Sequence, residues 1–369
     1  MRRGACPTVF APMRTGDGLL ARVKPPGSRL SAAQARALAD AAAACGNGVI
    51  ELTARGNIQV RGLTTTSAPR FAHAMVAAGL AAADPQVERR RNVLLAPLAD
   101  APTRAVAAAL EARLADAALA ALPGKFGFIV DGGGGLPLDS VSGDVRLRAD
   151  GGRWRVWCDG AQKAATGDAT AAVAIALRLA EAFLALRTDA KRMRDAVGSP
   201  ILARATAELP SVAAPVAAAA PSCIGPLRGG FGVGLPFGAT DAATFAALGA
   251  LWVTPWRAVV IENASPRELR GLITDPSDPR RALAACPGRP ACDHARADTR
   301  ADAAKLAALL PGLRAHLSGC AKGCAHPAPA PVTLVARDDG YALVRDGCAN
   351  DAPERTGLAL GEAVALLQR

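Results

Sequence analysis

Apolar positions along this chain follow two rhythms, a two-residue alternation in short runs and a helical spacing in long alanine-rich runs. The turn Gly16-Asp17-Gly18 precedes an apolar run from Leu19 to Val23, which reads as a strand. Ser31 followed three residues later by Gln34 is a capping box, and the helix behind it runs to about Cys45 and stops at Gly46. Two short strands, 49–52 and 58–60, enclose a tight turn with Gly56 and Asn57, which leaves Arg55 at its edge. Helices are expected over about 68–78, from Pro102 to about Leu122, and over about 169–188, with strands at 123–130, 144–148 and 153–158.

The opening rhythm then returns. Residues 232–237 echo the first strand, 240–248 read as a short helix, and 251–260 match 52–60, with Thr and then Arg in each copy. Such a diffuse repeat implies pseudo-twofold halves, with Arg55 and Arg257 in related positions across a central cleft. Beyond it the pattern gives a helix from near Asp298 to about Leu310, a hairpin of 332–336 with 341–345, and a helix near 361–368.

Boundaries follow from these elements. We expect a half-domain over 1–68, a larger α+β domain over 69–208, a Pro/Ala-rich linker at 209–226, a second half-domain over 227–275 and a second α+β domain over 276–369. The 369 residues allow a substantial core, and a composition 51% apolar and 20% charged is globular. Pro7, Pro12, Arg14 and Asp17 interrupt any secretory apolar region, and no 18-residue run of strong hydrophobes is present. The expected location is cytoplasmic, away from membranes.

A net charge of +11 changes the picture only slightly. With one Tyr in the chain and no basic tract interleaved with aromatics, nucleic acid is not the expected partner, whereas basic loop tips suit a carboxylate-rich small molecule. The densest positive patch is Arg89-Arg90-Arg91. The glycine run 132–135 lacks the strand–GxGxxG–helix setting of a dinucleotide site.

Four cysteines carry the candidate redox chemistry. Cys286 and Cys292 lie in CPGRPAC, and Cys320 and Cys324 in SGCAKGCAHP. Thiolates are soft ligands, and four of them satisfy one [4Fe–4S] cube; a structural zinc site and ordinary buried cysteines are the alternatives, while disulfides suit an intracellular chain poorly. Of the four histidines, His326 and His294 each follow one of these cysteines by two residues, and no facial-triad spacing marks a mononuclear iron.

The Cys-x5-Cys and Cys-x3-Cys pairs, the repeated halves and the basic loops resemble the sirohaem nitrite and sulfite reductase superfamily. Within it, RRGACPTVFAPMRTGDGLLAR, ELTARGNIQVRG, TPWR and SGCAKGCAHP resemble the branch acting on precorrin-3A. The resemblance implies an α+β fold of two ferredoxin-like half-domains and two larger α+β domains. It places a [4Fe–4S] cluster on Cys286, Cys292, Cys320 and Cys324, with Cys324 bridging to a sirohaem iron in the reductases. It places the catalytic basic residues on Arg55, Arg91 and Lys125. A second reductase lysine falls on Gly127 here, which removes a charge and counts against simple nitrite or sulfite reduction. For the branch, the resemblance implies O2-dependent hydroxylation of precorrin-3A at C20 with γ-lactone closure in aerobic cobalamin synthesis. A non-haem iron and reducing equivalents from NADH or an electron-donor protein come with it. The tetrapyrrole is then expected among Arg55, Arg91, Lys125, Arg257 and Lys322. A non-catalytic iron–sulfur electron carrier is the rival from another class.

Overall fold

In the computed structural model, residues 6–186, 190–216, 219, 221–264 and 269–368 are described. The first four residues of the opening stretch quoted above, and positions 217, 218 and 220 of the expected linker, lie outside them.

Each copy of the sequence repeat folds as a hairpin, a one-turn 3-10 segment, a short strand, a helix and a second hairpin. The first copy comprises strands Met13–Thr15 and Gly18–Val23, the turn Pro26–Ser28, strand Arg29–Leu30, helix Ala32–Cys45 and strands Val49–Leu52 and Ile58–Leu63. The second comprises Gly225–Leu227, Gly230–Gly234, the turn Pro236–Gly238, Ala239–Asp241, the short helix Ala242–Ala246, Leu251–Val253 and Ala258–Glu262. The halves trade their short strands. Ala239–Asp241 completes the first five-stranded sheet against Val49–Glu51, and Arg29–Leu30 completes the second against Leu251–Trp252. Helix Ala32–Cys45 starts where the capping box predicts: Ser31 Oγ accepts from Gln34 N–H at 3.2 Å, and Gln34 Oε1 accepts from Ser31 N–H at 3.0 Å. One apolar core joins the two halves, with Val23, Leu30, Leu38, Ile50, Val60 and Phe71 meeting Val233, Phe245, Leu251 and Val259.

Two further sheets flank this pair. A six-stranded mixed sheet runs Ser211–Ala213, Lys163–Gly167, Arg153–Cys158, Val145–Asp150, Phe128–Asp131 and Val93–Leu95, with helices Ala101–Arg113 and Ala169–Ala185 packed into the same core. A five-stranded sheet near the C-terminus runs Leu283–Ala285, Ala315–Ser318, Ala330–Arg337, Gly340–Gly347 and Arg355–Leu358, covered by helices Thr299–Leu309 and Leu360–Leu367.

Two local expectations differ from what is found. The stretch 209–226 contributes strands at both ends, because Ser211–Ala213 pairs with Lys163–Ala165 and Gly225–Leu227 forms a hairpin with Gly230–Gly232. The three consecutive arginines close a short helix, Pro85–Arg90, whose N-cap is Asp84 and whose first turn carries Glu88. Among the described residues, no helix is long and apolar enough to cross a membrane.

Candidate functional site

The hairpin turns at the ends of the two repeats sit where the sheets converge. In the first, Thr53 Oγ1 accepts from the N–H groups of Arg55 and Asn57 at 3.3 and 3.1 Å, and Thr53 N–H reaches Asn57 O at 2.9 Å. In the second, Thr254 N–H reaches Ala258 O at 3.1 Å, and Thr254 Oγ1 accepts from Trp256 N–H at 3.2 Å. The matching bonds pair Arg55 with Trp256 and Gly56 with Arg257, one residue off the register expected from the sequence.

That offset sends the two arginines into different cavities. Arg55 lines one with Asn57, Asn92, Lys125, Ser142 and Arg192. Its Nη1 donates to Lys125 O at 3.3 Å, and no carboxylate pairs with it among the described residues. Arg55 is exposed at the cleft mouth, yet its guanidinium lies among protein atoms. Burial first, and then the charge of Arg192, hold its pKa below the ordinary arginine range. Lys125 is exposed on the turn before strand Phe128–Asp131. Behind this cleft, Arg22 and Lys24 follow one another at strand spacing, with Cys6 beside them. Arg22 Nε is buried with no partner among the described residues. Lys24 Nζ donates to the carbonyls of Glu88 and Arg89 at 2.7 and 3.0 Å, and burial lowers its pKa to about 8. Neither was singled out from sequence; Arg22 lies on strand Gly18–Val23 and Lys24 just past its end.

Arg257 lines the second cavity with Phe237, Trp256, Arg280 and Arg281, and its Nη2 donates to Ala325 O at 2.9 Å, just past Cys324. Lys322 is exposed on the same loop. Arg91 joins neither group. It is 7% exposed, bonded to Glu88 Oε2 at 2.9 Å and 3.2 Å and to Lys24 O at 2.7 Å, so it ties the short helix to the chain just past strand Gly18–Val23. Arg90 is consumed likewise by the carbonyls of Leu114 and Ala115. Arg61, on strand Ile58–Leu63, is 4% exposed among Asp17, Glu51 and Ala291 O, and Arg300 closes the network on Glu51 at 2.7 Å. This network anchors the Cys286–Cys292 loop to the first half.

The cysteines require a correction. The loops bring them into one neighbourhood, where burial and then Cys320, Cys286 and Cys292 push the Cys324 thiol above its usual range. Their local partners differ, however. Cys286 Sγ accepts from Gly319 N–H at 3.1 Å and lies 3.4 Å from Thr299 Oγ1, whereas Cys324 is exposed. Among the described residues, no group of three or more His, Cys, Asp or Glu side chains could hold a metal ion. The expected [4Fe–4S] cluster on Cys286, Cys292, Cys320 and Cys324, the non-haem iron and the Cys324 bridge to sirohaem are therefore withdrawn; these residues are four free thiols. His326 Nε2 lies 3.4 Å from Pro329 O, and its ring stands 5.9 Å from that of His316. His294 is exposed.

Residues 11–78 match the nitrite/sulfite reductase ferredoxin-like half domain. A precorrin-3B synthase from Sinorhizobium sp is 36% identical over an alignment of 413 residues that takes in 100% of this chain and 89% of the relative. The fold is that of the nitrite/sulfite reductases: the structure of Mycobacterium tuberculosis NirA protein superposes with a TM-score of 0.67, covering 95% of this chain and 80% of the other at 18% identity.

Proposed function

From the premise that this chain belongs to the precorrin-3B synthase family, within the nitrite/sulfite reductase superfamily, we propose that it converts precorrin-3A to precorrin-3B by O2-dependent hydroxylation at C20 with γ-lactone closure. It is an oxidoreductase. The observation that carries the substrate is 36% identity to a precorrin-3B synthase over an alignment that takes in the whole chain. The cleft supports it chemically. A tetrapyrrole bearing acetate and propionate arms needs fixed cations around its rim, and guanidinium forks match carboxylates in charge and geometry. Arg55 and Lys125 face one cavity with no carboxylate partner among the described residues, and Arg257 lines another. Their role is to bind the arms and set which edge of the macrocycle meets O2. Reducing equivalents come from an external donor.

The test is to incubate the purified chain with precorrin-3A, a reductant and isotopically labelled O2, following the product by mass spectrometry. A product carrying the label is expected. Reduction of nitrite or sulfite with no turnover of precorrin-3A would overturn the reading.

A further inference from the structure

The Arg55 cleft contains a guanidinium that the sequence pattern did not mark. Arg192 stands just before the one-turn segment Met193–Ala196 and lines the cleft beside Arg55, Asn57, Asn92 and Lys125. Its position is fixed from behind. Nε and Nη2 donate to the two oxygens of Asp144 at 3.0 and 2.8 Å, a fork on a carboxylate. Asp144 is 1% exposed and accepts two more bonds, from Met193 N–H at 3.0 Å and Gly127 N–H at 2.9 Å. The carboxylate is saturated and cannot follow Arg192 elsewhere. Nη1 of Arg192 has no hydrogen-bond partner among the described residues, so one edge of the fork is spent on Asp144 and the other remains available.

Three cations thus share this cleft with one carboxylate. Holding guanidinium beside guanidinium costs energy unless an anion enters between them. Gly127 bears on the same point, since the superfamily resemblance expects a lysine there. A side chain would fit: a Cβ at Gly127 would meet only Asn92 O at 3.8 Å and Lys125 O at 4.0 Å. Its absence is therefore not a packing requirement, and the cleft takes its further positive charge from position 192 on another segment. The cavity itself is about 40 Å³. That admits one carboxylate, not a macrocycle.

We propose that Arg192 is a substrate-binding residue, clamping with Arg55 a single peripheral carboxylate of the tetrapyrrole while the ring lies over the cleft mouth. This rests on the precorrin reading above and names the contact that reading lacks.

The experiment is a titration of the full chain with uroporphyrin III, a stable octacarboxylate tetrapyrrole, paired with steady-state turnover of precorrin-3A. Arg192→Gln alone leaves Asp144 buried without its counter-charge and risks the fold. The double variant Arg192→Gln/Asp144→Asn removes both charges, and thermal melts accompany each protein. Affinity for uroporphyrin III should fall about 10- to 100-fold in the double variant. In turnover, the loss should appear in KM rather than in kcat. Adding Gly127→Lys to the double variant should recover part of the affinity by restoring a cation to the cleft. Wild-type affinity and KM in a folded double variant would overturn the proposal and make Arg192 a structural partner of Asp144, with the precorrin reading intact. Failure of the wild-type chain to bind uroporphyrin III or to turn over precorrin-3A would sink both.

Discussion

Gly56 and Arg257 occupy the same position in the two symmetry-related turns, and both adopt left-handed backbone, at φ 63° and 57°. In the first half a Cβ would stand 2.4 Å from Leu94 Cδ1, so any side chain there must push the leucine aside as well as bear the left-handed backbone. In the second half an arginine takes the strained conformation and reaches Ala325 O in the Cys320–Cys324 loop. Left-handed backbone costs a non-glycine residue roughly 1–2 kcal/mol, and such strain persists where the surroundings enforce it.

Arg257→Gly and Arg257→Ala remove the same guanidinium but differ in that backbone cost. Arg257→Ala should therefore be the less stable of the two by about 1 kcal/mol. Urea unfolding of both variants measures the gap, and equal midpoints would show that the turn is not strained.

Arg55 and Arg91 should separate cleanly. Arg55→Ala removes a cation that has no carboxylate partner among the described residues, so it should weaken tetrapyrrole binding about tenfold or more with little change in melting temperature. Arg91→Ala strips the counter-charge from the fully buried Glu88 and should cost about 3–5 kcal/mol of stability instead. Melting curves and uroporphyrin III titrations on the same two proteins decide it.

Breaking Arg61 should loosen a distant loop. Arg61→Met leaves Asp17 without its counter-charge and Glu51 with Arg300 alone, and frees Ala291 O, so amide exchange over residues 286–292 should accelerate more than over strand Ala315–Ser318. Uniform acceleration across both would mean global destabilisation only.

His316 gives a pH dependence. It is 0% exposed, both ring nitrogens lack partners among the described residues, and burial, then His326 and Arg257, lower its pKa to about 4 from an ordinary value near 6.5. The unfolded chain binds its proton first on acidification, so His316 contributes no penalty above pH ~6.5 and withdraws stability progressively as pH falls from there to about 4. His316→Gln should flatten the stability profile across that window. An unchanged slope in chemical denaturation at several pH values would place the acid sensitivity elsewhere.

Much of this architecture was legible in advance where local signals act alone. Ser31 and Gln34 form their capping box within a single turn, and the two Thr-containing hairpins repeat a local bond pattern. The offset of Arg257 lies in the spacing itself, since Arg follows Thr53 by two residues and Thr254 by three, while both threonine N–H groups reach the carbonyl four residues on. The RRR run gave no sign that Arg90 and Arg91 are buried, since their partners include Leu114, Ala115 and Lys24, supplied by other segments. Arg192 was invisible for the same reason: Asp144, 48 residues earlier, sets its direction. The cysteine spacing predicted proximity but not coordination, because spacing fixes how close loops come and not where each thiol points.

The traded strands Arg29–Leu30 and Ala239–Asp241 bear on how such a chain arises. A lone half would carry a sheet missing its fifth strand while its own spare strand went unpaired. Two identical copies, related by a twofold axis, would repair each other's edge. A half-length forebear of this fold is therefore most simply a dimer. Fusing its genes would make that partnership permanent and then let the two turns diverge, glycine in one and arginine in the other.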